Sequence, residues 1–77
     1  MTKNDFLTLF AERLQIANKN LTLETKVKSL EEWDSWNALE LMTLVDETFG
    51  VTLTAPDLAT IETFEDLITK IGIENFE

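Results

Sequence analysis

The chain contains no cysteine and no histidine. The first absence excludes a disulfide framework and a thiolate metal site, and the second removes the commonest general base and metal ligand. Paired carboxylates remain for acid/base work, but that chemistry needs a cleft that drives their pKa values apart, and 77 residues supply little material for one. Catalysis by the chain's own side chains is therefore not expected, and no catalytic residue is assigned. With 2 glycines there is no phosphate-cradling loop. The acidic pairs Glu31-Glu32, Asp46-Glu47 and Glu65-Asp66 lack the alternating oxygen ligands and the glycine of a calcium loop, so they read as solvated faces and no metal site is assigned. No uncharged run approaches the length of a membrane span, and the N-terminus lacks the basic-then-apolar plan of a secretion signal. The expectation is one small domain over residues 1–77, soluble, cytoplasmic and monomeric.

Positive charge is also scarce. Six basic residues face 15 acidic ones, for a formal net charge of -9, and between Lys28 and Lys70 there is no basic residue at all. That stretch holds Glu31, Glu32, Asp34, Glu40, Asp46, Glu47, Asp57, Glu62, Glu65 and Asp66. A field of one sign repels nucleic acid and anionic lipid and attracts basic protein surfaces. The partners this charge admits are proteins with basic patches; a small domain also gains solubility from net charge whatever its role.

Apolar periodicity divides the chain into helices. Phe6, Leu7, Phe10, Leu14 and Ala17 recur at helical spacing, with Leu9 and Ile16 widening the stripe, behind a capping-box pair, Thr2 and Asp5, which predicts a first helix over about residues 3–17. No period is sustained from Asn18 to Asp34, yet Leu21, Leu23, Val27, Leu30 and Trp33 are spaced to pin a long connection onto a core. Trp36, Ala38, Leu39, Leu41, Met42, Leu44, Val45 and Phe49 then give a central helix from Ser35 to Phe49, with a stripe wide enough for contacts on more than one side. Gly50 stops it in a left-handed turn, with Val51 folded back as in a Schellman ending. Thr54 and Pro56 start a short helix over about residues 55–60. Thr63 with Glu65 and Asp66 starts a last one, whose face of Phe64, Leu67, Ile68 and Ile71 runs to Gly72. The fold class is all-α: a small four-helix bundle with three longer helices and one short one.

Asp34-Ser35-Trp36 lies where the acidic connection becomes the central helix. Amides of a helix's first turn lack partners within the helix and the macrodipole is positive there, so a phosphodiester on the Ser35 hydroxyl would be favoured. The same tripeptide also serves as a plain N-cap, through an oxygen of either Asp34 or Ser35.

The segment from Trp33 to Gly72 resembles the acyl carrier protein family. Asp34-Ser35 with Trp36 matches the family's Asp-Ser-Leu, Glu40-Leu41 its Glu-Leu pair, and Asp46-Glu47 with Phe49 its acidic pair and phenylalanine. Ile61 and Thr63 match the Ile-x-Thr ahead of the last helix, all at the family's separations without a gap, and the helix order is similar. The resemblance implies a fold of the acyl-carrier type and a Ser35 that accepts covalent 4′-phosphopantetheine from coenzyme A through a separate phosphopantetheinyl transferase, between Asp34 and Trp36. The arm's thiol would hold acyl groups as thioesters for acyl-loading and acyl-processing enzymes with basic surfaces. The resemblance also implies that Glu40, Asp46 and Glu47 are recognition acids, and that Leu41, Met42, Val45, Leu53 and Ile61 are candidates to line an acyl pocket, a role the same side chains would combine with ordinary core packing.

Two departures bear on the pathway. Trp36 stands where leucine is usual, and the short third helix keeps Asp57 alone where fatty-acid carriers commonly show several acids. With Glu31-Glu32-Trp33 in place of a glycine-containing turn, the chain is similar to free-standing carriers in fatty-acid-like, polyketide or other specialised biosynthesis. Two alternatives stand beside an acyl carrier: a peptidyl or aminoacyl carrier protein, and an unmodified helical protein-interaction module in which Ser35 only caps its helix.

Overall fold

A computed structural model of the chain describes residues 1–16 and 20–77. Four α-helices are present among them: α1 over Lys3–Arg13, α2 over Ser35–Phe49, α3 over Ala55–Thr60 and α4 over Phe64–Ile71. Short 3-10 turns follow at Val27–Ser29 and Ile73–Asn75, and no strand occurs among the described residues. The class is all-α, with three longer helices and a short one.

Local hydrogen bonding explains where the helices begin. Thr2 and Asp5 form the expected reciprocal box, the Asp5 amide donating to Thr2 Oγ1 at 3.0 Å and the Thr2 amide to Asp5 Oδ2 at 3.2 Å. Thr63 and Asp66 repeat it at α4, where Asp66 Oδ2 also accepts the Glu62 amide. At α3 the Asp57 carboxylate accepts both the Thr54 amide and its hydroxyl, each at 3.0 Å. These bonds lower the pKa of both acids: for Asp57 chiefly the Thr54 amide, for Asp66 chiefly the Thr63 amide and then that of Glu62. At the other end of α2, Gly50 is left-handed at φ 69° and its amide donates to the Asp46 carbonyl at 2.9 Å. This is the single-bond left-handed ending, simpler than the Schellman form expected from Val51.

Helix α1 stops earlier than its sequence pattern suggests. It ends at Arg13, Gln15 takes a left-handed φ of 56°, and the Ile16 amide donates to the Ala11 carbonyl. Burial accounts for this. On a continuing helix Ile16 would project about 200° from Leu14, so one of them would face water; the Gln15 turn places both in the core. Ala17, the last member of the predicted stripe, lies outside the described residues.

The core joins all four helices to the long connection. Phe6, Phe10, Val27, Leu41, Leu44, Val45, Phe64 and Leu67 are wholly buried. Phe10 and Phe64 meet edge to face with centroids 4.7 Å apart, fastening α1 to α4. Val27 is the connection's anchor. Around it the backbone pairs with the start of α4: the Val27 amide donates to the Glu62 carbonyl, that of Phe64 to Thr25, and that of Glu65 to Leu23. Leu21, Leu23, Leu30 and Trp33 pack on the core from the same connection, as their spacing predicts. The C-terminal tail, which the sequence pattern left unassigned beyond Gly72, folds back. Phe76 lies 5.6 Å from the Phe6 ring and 5.1 Å from that of Phe49, and the Glu77 amide donates to the Met1 carbonyl.

Candidate functional site

The head of α2 is capped by Asp34, not by Ser35. Asp34 Oδ1 accepts the Asn37 amide at 2.8 Å, and the Asn37 side chain donates back to the Glu32 carbonyl at 2.7 Å. Asn37 thus ties the approaching turn to the helix from both ends, a role its sequence position did not advertise. Ser35 is the first residue of the helix proper, exposed, and no hydrogen bond among the described residues engages its hydroxyl. Of the two cap candidates that the sequence left open, the structure assigns the cap to Asp34. Asp34 closes the helix, and the Ser35 hydroxyl takes no part in the cap.

Trp33 and Trp36 also part company. Trp33 packs against the core, whereas Trp36 is 72 % exposed and with Leu39, 57 % exposed, forms an apolar pair one turn apart beside Ser35. A shallow groove runs beside it, lined by Trp36, Asn37 and Glu40 from α2, by Glu32 and Asp34 before it, and by Arg13 and Gln15 from the end of α1.

Of the predicted recognition acids, Asp46 and Glu47 are exposed and Glu40 is half-buried. Arg13, which sequence reasoning did not single out, reaches from α1 to two of them. Its Nη2 lies 2.8 Å from Glu47 Oε1 and 3.4 Å from Glu40 Oε1. The hydrogen bond to Glu47, ahead of the contributions of Glu40, pushes the guanidinium pKa still higher. Sequence separations of 27 and 34 residues leave no local signal for this contact.

The five acyl-pocket candidates lie together in or against the core. Leu41 and Val45 are wholly buried, Leu53 and Ile61 nearly so, and Met42 is half-buried at its margin. Ile61 also borders a surface groove formed by Lys26, Lys28, Ser29, Ala59, Thr60 and Glu62, across which Lys28 Nζ donates to the Ala59 carbonyl. Among the described residues there is no group of three or more metal-ligating side chains, and no helix is long and apolar enough to cross a membrane.

The head of the central helix thus carries an exposed serine whose hydroxyl has no hydrogen bond among the described residues, beside an exposed apolar pair and with acids along the same helix. Residues 4–71 match the family described as "Phosphopantetheine attachment site". An acyl carrier protein of Phytoplasma australiense is 31 % identical over 64 residues, which cover 83 % of this chain and 84 % of that protein. No solved structure matches the chain. The chain belongs to the acyl carrier protein family, and its prosthetic group is a covalently attached 4′-phosphopantetheine. Such proteins are carriers, and they work with a phosphopantetheinyl transferase and acyl-processing enzymes.

Proposed function

We propose that Ser35 is the attachment residue and that the protein presents acyl thioesters to enzymes of a fatty-acid-like, polyketide or other specialised pathway. The observation that carries this is the division of labour at the head of α2: Asp34 holds the cap, and Ser35 is exposed with no hydrogen bond to its hydroxyl among the described residues. Its surroundings fit an anionic ester. The amides of the first turn have no acceptors within the helix, and the helix dipole is positive at that end. Attack by Ser35 Oγ on the pantetheine-bearing phosphorus of coenzyme A forms the phosphodiester and releases the adenosine bisphosphate. The hydroxyl proton leaves to a base of the transferase or to water; the chain has no histidine to take it, and the Asp34 carboxylate is held in the cap.

Once attached, the group supplies the terminal thiol that the chain itself lacks. The chain contributes position and recognition. Trp36 and Leu39 offer apolar contact next to the serine, and Glu40, Asp46 and Glu47 carry the negative field that steers basic partners and sets specificity more than raw affinity. Trp36 in the leucine place selects for enzymes able to seat a large ring. Leu41, Met42, Val45, Leu53 and Ile61 would shelter an apolar cargo by parting around it, since they are packed as core in this conformation. The family's attachment group favours a carrier over an unmodified interaction module. A peptidyl or aminoacyl carrier would share the serine and the fold, and differs in the enzyme that loads it.

Incubation with coenzyme A, magnesium and a broad-specificity transferase should add one phosphopantetheinyl group to the wild-type chain and none to Ser35→Ala, read by intact mass. Modification persisting in Ser35→Ala would place the attachment elsewhere.

A further inference from the structure

The three acids of α2 do not form one uniform face. At about 100° of rotation per residue, Ser35, Leu39, Met42 and Asp46 project within about 60° of one another, while Glu40 and Glu47 project together roughly 120–140° from Ser35. Those two lie on the flank that meets α1, where Arg13 spans them with contacts of 3.4 and 2.8 Å. Asp46 stands exposed on the serine's own stripe and has no ion pair among the described residues. Along α2, a basic enzyme approaching Ser35 therefore meets one open carboxylate and two already engaged.

We infer that Arg13 is an internal competitor for the basic side chains of docking enzymes: Asp46 recruits them first, and Glu40 and Glu47 contribute only as Arg13 is displaced. The inference rests on the proposed docking role of α2. The guanidinium offers its donors as a planar fork, the same geometry an enzyme's arginine would bring to these carboxylates. Both members of the closer contact are accessible to water, Arg13 at 36 % and Glu47 at 58 % of their side chains. Exposed ion pairs of this kind shift an equilibrium by a factor of about 1.4 to 5, weak enough for a partner to displace and strong enough to bias its choice. Arg13 is in this sense a specificity-determining residue. It favours partners that read the Ser35–Asp46 stripe over those that need the α1 flank.

The test is the affinity and association rate of the full chain with a phosphopantetheinyl transferase at low and physiological salt. Arg13→Gln should bind about 2- to 5-fold tighter than wild type. Lys26→Gln makes the same change in net charge at a residue that pairs with no α2 acid, and it should change binding less. Glu47→Gln should cost little alone but about 2- to 5-fold in the Arg13→Gln background, while Asp46→Asn should cost affinity in both. Melting curves monitor the fold; if Arg13→Gln does not fold, Glu40→Gln/Glu47→Gln in the native background should still lose less affinity than Asp46→Asn alone. Acid variants that weaken docking, with Arg13→Gln no tighter than Lys26→Gln, would overturn the inference and leave the docking face standing. Acid variants silent in both backgrounds would remove the docking face itself, and the role of Arg13 with it.

Discussion

The Asp34 carboxylate accepts the Asn37 amide at 2.8 Å, and the adjacent Ser35 hydroxyl takes no part in the cap. Had the serine been the capping residue, its oxygen would have been held by a backbone amide and any modification would have had to break the cap. With the cap one residue earlier, the helix start and the Ser35 oxygen are independent. An ester on Ser35, as proposed, would not cost the helix its N-terminal bond.

Asp34→Ala should remove that cap and destabilise the protein by about 0.5–2 kcal/mol, whereas Asp34→Ser, also a good cap, should recover most of the loss. Urea unfolding measures both. An unchanged midpoint in Asp34→Ala would mean that the Asn37 bond is not holding the helix start.

Acid should expose the contribution of Asp66. Its folded pKa lies below the ordinary value because the Thr63 amide, and then that of Glu62, stabilise the carboxylate. A depressed folded pKa means stability that is complete above the unfolded value of about 3.9 and is lost as pH falls through the folded value. The stability advantage of wild type over Asp66→Asn should therefore be full above about pH 5 and shrink steadily below about pH 4. Unfolding midpoints across that range should converge; parallel curves would contradict the assignment.

Salt should raise the melting temperature. The molecule measures 29 × 24 × 20 Å along its principal axes. The screening length falls from about 30 Å at 0.01 M to about 8 Å at 0.15 M, so its carboxylates repel one another across the whole molecule in the first condition and only between neighbours in the second. Arg13 and Lys70 relieve this at Glu40, Glu47 and Asp57, and a net charge of -9 remains. A melting temperature indifferent to ionic strength would show that the repulsion does not matter.

Helix starts were legible in the sequence because their causes are local. Thr2 with Asp5 and Thr63 with Asp66 lie three residues apart and satisfy each other's backbones wherever the chain goes. The end of α1 was not legible. It depends on Leu14 and Ile16 both reaching a core made by residues distant in sequence, and helical spacing alone carried the pattern onward. Phe76 escaped notice for a similar reason, since its partners Phe6 and Phe49 come from two other helices. Within the candidate site, the sequence pointed to Asp34, Ser35 and the acids of α2. It did not supply Asn37, whose side chain looks like any helical asparagine, or Arg13, whose partners are a helix away. It also left Asp34 and Ser35 as equal candidates for the cap, and only the backbone geometry separates them.

The most direct test of the account is the mass of the chain purified from its own host, followed by fragmentation of the peptide that contains residues 29–40. A phosphopantetheinyl group localised to Ser35 is the predicted result. A chain that keeps its bare polypeptide mass, in its host and after treatment with several transferases, would contradict it.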